Sequence, residues 1–541
     1  MSWGHIVSKD MLVWTLAKTS PAIVPGAVYD RDGVFTGCWV PPVDKSDQTL
    51  KVAYSSVKRL PFHWSTPPYP RDAAGIAIAL SSDGGNSWTK APRNPILNGE
   101  PGGLTVTGFR DPFVTKSPAL DQALGTTDNV LYGLVSGGIQ DTGPTTFLYK
   151  IPCSDVHDWQ YVGPLVDVPL RFQPSKKWSG NYGVNWECTN IVTLQNGSDT
   201  REFLVIGAEG DIEKNHVKNF KQPVRAPSRT VRTQVWMSGK LKGAGHKGVK
   251  LEYKHGGYLD HGPLYAANSF LDERSGRRIV HAWLPEDDIP MDVAKEKGWN
   301  GSLALPREIF LLRIRGVQKP LHSELSDMAP FEIASTEPDG SKTLLTLGIR
   351  PISEVMQFRD AVVCKAFQIG ASVSLPLTTD VSHKFIYETH STSWELAATI
   401  SISSGCETVG FYLRHNSDLS IRTSVIFAVM EETITVDRSA SNTAEMVNKC
   451  PDAGPFTLFF KKPESGDDDG NVVLEKLHLR IFSDGNILEI FANDRFALAT
   501  MVYSEGHGPD FGGISAFATG TKNTSTFESI AVWDGLGTND P

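Results

Sequence analysis

A pattern of serine, aspartate and tryptophan recurs along the first third of this 541-residue chain at nearly constant intervals. Ser8, Asp10 and Trp14 are followed by Ser81, Asp83 and Trp88, then by Ser154, Asp155 and Trp159, which sets the aspartates 73 and 72 residues apart. The sequence between them consists of short runs rich in Val, Ile, Thr, Phe and Tyr, broken by Gly, Pro, Asn and Asp, as in "VLYGLVSGG" and "FLVIGAEG". Such runs read as strands and their punctuation as turns. A period of some 70 residues filled with strands predicts a β-propeller with insertions in its blades.

A second series keeps step with the first. Thr36, Asp111, Glu187 and Asp260 follow one another at intervals of 75, 76 and 73 residues. The innermost strands of a propeller line one central channel, so positions one blade apart converge on its axis. The spacing therefore predicts that Asp111 and Glu187 face one pocket.

After about residue 340 the texture changes. The stretch 341–375 reads as a linker, with Ser353 placed to cap a short helix over "SEVMQFRD". From 376 to 541, regular strands such as "WELAATISIS" and "TITVDRS" alternate with turns at intervals typical of a β-sandwich. "SDGN" at 483–486 predicts a hairpin. The acidic insert at 461–472 reads as a solvated loop. The whole is an all-β chain: a propeller over 1–340, a linker, and a C-terminal sandwich.

Composition limits the partners. A net charge of −9 and a pI near 5.9 argue against nucleic acid and anionic membranes, both of which reward clustered Lys and Arg. No apolar run approaches the ~20 residues of a membrane span. The six cysteines form no CxxC pair, which speaks against zinc; Cys406 and Cys450 are the two that share a region and could pair.

Two carboxyl groups meeting in one pocket suit glycoside cleavage. A retaining enzyme holds them ~5–5.5 Å apart, one as nucleophile and one as acid/base. Glu187 follows Trp186, an apolar neighbour expected to raise its pKa by desolvation; Asp111 follows Arg110, whose charge is expected to keep an aspartate ionised and whose fork suits sugar hydroxyls.

These residues sit in motifs that resemble glycoside hydrolase family 32, which includes invertases, inulinases and fungal fructosyltransferases. The resemblance is carried by "WGHIVSKDMLVW" (3–14), "YDRDGVFTG" (29–37), "SSDGGNSW" (81–88), "FRDP" (109–112), "WEC" (186–188) and "GWNGSLALPRE" (298–308). "ITVDRS" (434–439) and "LEIFANDRFALAT" (488–500) extend it into the sandwich, and "LPFHWSTPPYP" (60–70) is similar to the fungal branch. It implies a five-bladed propeller followed by a β-sandwich, and retaining cleavage or transfer of β-linked fructose from sucrose or a fructan oligosaccharide, with no metal or other cofactor. Carried over by position, Asp111 would stabilise the transition state, Glu187 would be the acid/base, and Arg110 would bind sugar. Glu209 in "GAEG", His63 in "FHWS" and Tyr265 in "PLYAA" would line the substrate pocket.

One part of the family pattern is not found. The nucleophile of the family is an aspartate in a motif like W-x-N-D-P-N-G, upstream of the "WGH" segment that begins here at Trp3. The chain is accordingly expected to carry an incomplete first blade and no assigned nucleophile. Asp30 and Asp32 are the nearest substitutes, but "YDRDG" reads as a turn. The expected activity of this chain is therefore low, with a sugar-binding protein without turnover and a fructosyltransferase as the alternatives. The family implies secretion, whereas Met1–His5 lacks the basic start and apolar run of a signal peptide.

Overall fold

A computed structural model describes residues 1–537 apart from 19, 45, 244, 246, 247, 362, 463–470, 507 and 508. Most of the acidic insert therefore lies outside the described residues. The chain is nearly all β, a propeller followed by a sandwich.

Each propeller sheet is an antiparallel meander. The first runs Gly33–Trp39, Leu50–Val57, Ala74–Ser81 and Thr89–Lys90; the second Val106–Thr115, Val130–Ile139, Gly143–Pro152 and Gln160–Pro164. The third runs Asn185–Asn196, Asp199–Glu209, Arg232–Gly243 and Val249–Tyr258. The fourth opens with Tyr265–Asp272 and Arg277–Leu284 and continues through Arg307–Pro320 to Lys342–Pro351. Middle strands such as Val130–Ile139 are buried almost throughout, because neighbouring sheets cover both faces. That explains why they read as continuous apolar runs rather than as alternating ones.

The serine–aspartate–tryptophan repeat is a turn at the outer edge of a sheet. Asp10 Oδ1 accepts from the backbone N–H groups of Leu12 and Val13, and Asp83 Oδ1 accepts from that of Ser87. Trp14 and Trp159 each donate their indole N–H to the carbonyl three residues back. The first copy joins an isolated two-stranded hairpin, Ile6–Ser8 with Trp14–Leu16. That hairpin bridges the first and fourth sheets. His5 meets the Gly85 carbonyl at 3.0 Å, and Trp14 packs edge-on against His281. The inner strands also meet there directly, where Asn268 donates to the Gly37 carbonyl at 3.1 Å.

All four inner strands break register at the same level, between Val34 and Gly37, Arg110 and Pro112, Glu187 and Asn190, and Tyr265 and Asn268. Asp111, Cys188 and Ala266 take the positive φ of these bulges, at 61°, 48° and 52°. A bulge re-aims the side chains beside it and commonly lies next to a functional site. Each is latched to the sheet before it: Ser55 Oγ accepts from the Asp111 N–H at 2.6 Å and Ser136 Oγ from that of Thr189 at 2.8 Å. Asn190 Oδ1 accepts from the Ser269 N–H at 2.7 Å.

The structure corrects several expectations. Residues 341–375 are not a linker: Lys342–Pro351 pairs with Arg307–Pro320 inside the fourth sheet, and Lys365–Gln368 and Val373–Pro376 pair with Thr524–Asp534 in the sandwich. Ser353 does not cap a helix; Ser353–Asp360 is a 3₁₀ segment whose cap position is Ile352, and the Ser353 hydroxyl turns to Glu354. Cys406 and Cys450 are both free thiols. Asp260 does not face the channel. It is fully buried, bound to Arg307 at 2.7 Å and to the Ala499 N–H, so it fastens propeller to sandwich. The residue one blade on from Glu187 is Tyr265, because the bulge rather than the interval defines equivalence.

The sandwich packs a seven-stranded sheet on a six-stranded one around Leu396, Phe411, Ile434, Leu479 and Ile530. The hairpin at 483–486 forms as predicted, with Asp484 opposite Ile487 and Gly485 at φ 54°. The sandwich also lends Phe459–Lys461 to the propeller strand Arg307–Pro320. Around this junction lie buried ion pairs, including Arg229 with Asp288 and Asp452, each at 2.6 Å.

Candidate active site

Five of the predicted residues meet in one cluster beside the bulges. Arg110 is 5 % exposed, Asp111 4 % and Glu209 8 %. Arg110 directs both Nε and Nη2 at Glu187 Oε1, each at 2.7 Å, and Nη2 also reaches Glu209 Oε2 at 3.3 Å. The Tyr265 hydroxyl donates to the other Glu187 oxygen at 2.9 Å. Asp111 Oδ2 accepts from the Cys188 backbone N–H at 3.3 Å.

The local sequence explains these directions. Arg110 and Asp111 are consecutive, so in a regular strand they would face opposite sides. The bulge at Asp111 breaks that alternation, and both groups then serve one pocket. Glu209 ends its strand directly opposite Asn185, whose amide donates to Glu209 Oε2 at 3.0 Å. Gly207, opposite Glu187, leaves room for the Tyr265 ring; a methyl group there would stand about 3 Å from the ring and its hydroxyl.

The electrostatics reverse the sequence expectation. Trp186 is in the core, with its indole bonded to the Tyr182 carbonyl, and the raised pKa expected for Glu187 is not found. Burial pushes Glu187 up, but the Arg110 charge and the hydrogen bonds from Arg110 and Tyr265 outweigh it, so the carboxyl is held below its ordinary value. Asp111 is not the partner of Arg110. Burial, then the charge of Glu187, raises Asp111 to about 6. Burial and Glu187 likewise raise Glu209 to about 7. Glu187 and Glu209 share one guanidinium beside the buried Asp111, and Asp111 and Glu209 hold protons readily.

His63 stands apart from this inner set. It is exposed, bonded through Nδ1 to the Ser65 hydroxyl at 2.6 Å and packed against Trp64. Burial and the Arg110 charge lower its pKa, so it lies within electrostatic reach of the cluster. Asp30 and Asp32 are engaged elsewhere. Asp30 is fully buried, accepts from the Gly26 and Ala27 N–H groups and from Tyr54, and pairs with Lys90. Asp32 accepts from the Leu60 N–H at 2.9 Å. Asp30 thus serves the turn that "YDRDG" predicts, and Asp32 ties it to the segment at Leu60.

Residues that the sequence did not reveal complete the pocket. Phe62 lies over the Arg110 guanidinium, 5.6 Å from ring centre to the central carbon. The Arg232 guanidinium lies over the rings of Tyr265 and Trp283, 5.3 and 4.6 Å from their centres. Asn185 sits two residues before Glu187 in "NWEC", and that adjacency is the signal that could have found it. Among the described residues no group of three His, Cys, Asp or Glu is arranged to hold a metal ion.

The profile described as "Glycosyl hydrolases family 32 N-terminal domain" matches residues 1–321, and that described as "Glycosyl hydrolases family 32 C terminal" matches 354–534. The chain belongs to glycosyl hydrolase family 32. Family 32 relatives include a rice protein named beta-fructofuranosidase, insoluble isoenzyme 2 (Oryza sativa subsp. japonica), 24% identical over 93% of this chain and 77% of its own length. The 6(G)-fructosyltransferase of Asparagus officinalis is 23% identical over 98% of this chain and 80% of its own. Among solved structures, the Aspergillus kawachii beta-fructofuranosidase complexed with glycerol superposes with a TM-score of 0.85 at 28% identity, covering 99% of this chain and 88% of that one. The fructan 1-exohydrolase IIa of Cichorium intybus in complex with 1-kestose shares the fold, with a TM-score of 0.68 at 16% identity over 99% and 90% of the two chains. Family 32 membership therefore rests on both domains, and the enzymes it groups with this chain are O-glycosyl hydrolases of β-fructofuranosidase type.

Proposed function

We propose that the pocket around Arg110 receives the terminal β-fructosyl unit of sucrose or of a fructan oligosaccharide. The observation that carries this reading is the guanidinium of Arg110 shared by Glu187 and Glu209 beside a buried Asp111. A charged fork and three carboxyl groups offer dense, directional partners for vicinal hydroxyls. Asp111 accepts hydroxyl hydrogens and stabilises developing positive charge on the sugar ring. Glu187 is the general acid/base. In the free protein it is ionised, so its proton arrives with the substrate: sugar hydroxyls take over part of the bonding of Arg110, the Glu187 pKa rises, and the proton held by Asp111 or Glu209 passes to it. Arg110, Glu209 and Tyr265 bind and orient; His63 and Trp64 border the entrance.

A second reading is favoured by the engagement of Asp30 and Asp32 in their turn. Neither is free to attack an anomeric carbon, and binding without turnover follows if no other carboxylate does so. One experiment separates the readings. Calorimetry with sucrose and 1-kestose is paired with chromatographic analysis of the products. Fructose release or transfer that disappears in Glu187→Gln supports the enzyme; binding with intact sugar supports the second reading. No binding of either sugar overturns both.

A further inference from the structure

Asn185 is fully buried, with 0 % of its surface exposed, inside the same cluster. A buried amide is costly unless its polar atoms are bonded. Here they are: Nδ2 donates to Glu209 Oε2 at 3.0 Å, and Oδ1 accepts from the Thr107 hydroxyl at 3.0 Å. The carboxylate fixes the sense of the amide. An ionised Glu209 oxygen only accepts, so Nδ2 faces it and Oδ1 is left to the Thr107 hydroxyl. Strand register supplies the rest, because Asn185 and Glu209 are direct cross-strand partners.

Gly108 makes this arrangement possible. A methyl group on Gly108 would stand 2.6 Å from Asn185 Oδ1 and 2.7 Å from Arg110 Nη1. The amide and the guanidinium therefore occupy space that only glycine leaves open. Thr107, Gly108, Arg110 and Asp111 lie in one strand, so one segment supplies the supports of Asn185, the guanidinium and an acidic group of the cluster.

We infer that Asn185, held by Thr107 and admitted by Gly108, is a positioning residue that favours the ionised form of the Glu209 carboxyl against its acidic neighbours and leaves Oε1 turned to the pocket. Oε2 is occupied by Asn185 and Arg110, so Oε1 is the oxygen left for a ligand. A hydrogen bond to the charged form favours ionisation. The other groups around Glu209 are Glu187 and Asp111, which oppose ionisation, Arg110, which favours it, and the phenol of Tyr265. Arg232 is its partner on the far side but is spent on Asp287 at 2.9 Å. Asn185 is thus the neutral donor to Glu209, as Tyr265 is to Glu187. The further consequence, that Oε1 meets a sugar hydroxyl, rests on the function proposed above.

The test is a carbon-13 titration of side-chain carboxyls in the full chain without sugar. The Glu209 resonance is identified by its loss in Glu209→Gln. In Asn185→Leu the Glu209 midpoint should move up by about one pH unit, the size of one lost charge-assisted hydrogen bond. Thr107→Val should move it in the same direction, and Thr107→Ser should leave it in place. These two variants carry the test if Asn185→Leu does not fold. An unchanged midpoint in Asn185→Leu or in Thr107→Val overturns the inference. A parallel titration with 1-kestose separates the two layers: binding absent in the wild type counts against the proposed function, while the sugar-free midpoints still decide the role of Asn185.

Discussion

Arg110 and Glu187 form the closest charge pair of the pocket, with two guanidinium nitrogens on one carboxylate oxygen at 2.7 Å. The two residues come from adjacent inner strands, 77 positions apart, and meet because a bulge interrupts each strand at the same level. Arg110 thereby serves the glutamates of the next blade rather than the aspartate beside it in sequence.

Removing that charge should have a pH-dependent cost. Arg110→Met leaves Glu187 and Glu209 without the cation they contact and Asp111 without its charge, and at low pH all three escape repulsion by taking up protons. The variant should be destabilised by about 3 kcal/mol near pH 8 and much less near pH 5. Thermal melts at the two pH values check it.

The raised carboxyls set a stability slope of defined sign. Asp111 is raised to about 6 and Glu209 to about 7, each above its value in the unfolded chain. The folded state then binds more protons than the unfolded state between roughly pH 4 and 7. Their contribution is complete below pH 4 and is lost as pH rises through 6 to 7. Glu209→Gln should remove part of that slope, gaining on the order of 2 kcal/mol relative to the wild type at pH 8 and nothing at pH 4. Denaturant unfolding at both pH values reads the difference.

Tyr265→Phe deletes the hydroxyl that donates to Glu187 at 2.9 Å and leaves the ring in place between Gly207 and Arg232. Glu187 should become easier to protonate, and sugar affinity should fall by about 1.5–3 kcal/mol, the range for a hydrogen bond to a charged group. Gly207→Ala should mimic it by pushing the ring aside. Calorimetry with 1-kestose measures both variants.

The junction of propeller and sandwich depends on Arg307, which is 1 % exposed and binds Asp260 at 2.7 Å and Glu489 at 2.8 Å. Arg307→Met strands two buried carboxylates and should cost about 3–5 kcal/mol. Limited proteolysis should then cut the 353–364 segment sooner than in the wild type.

Much of this architecture is written in the sequence, for a physical reason. Outer-edge turns need an aspartate to accept backbone N–H groups and a tryptophan to cover them, so Asp10, Asp83 and Asp155 recur visibly. The 76-residue interval pairs Asp111 with Glu187, whereas Glu209, at the end of the second strand of its blade, is legible only through the family resemblance of "GAEG". Partnerships were not legible. Sequence adjacency assigned Arg110 to Asp111, and only the bulge redirects it to Glu187. A fixed interval assigned Asp260 to the channel, yet the inner strand begins five residues later at Tyr265. Phe62, Ser55 and Asn185 act through contacts across 48, 56 and 24 positions, which no local pattern encodes.

The most direct test of the account is calorimetric titration of 1-kestose into the wild-type chain and into Asp111→Asn near pH 7. The account predicts saturable binding in the wild type, weakened at least about tenfold when the buried Asp111 carboxylate becomes an amide. Equal affinity in the two proteins, or no binding by the wild type, would contradict the assignment of this pocket to a fructosyl unit.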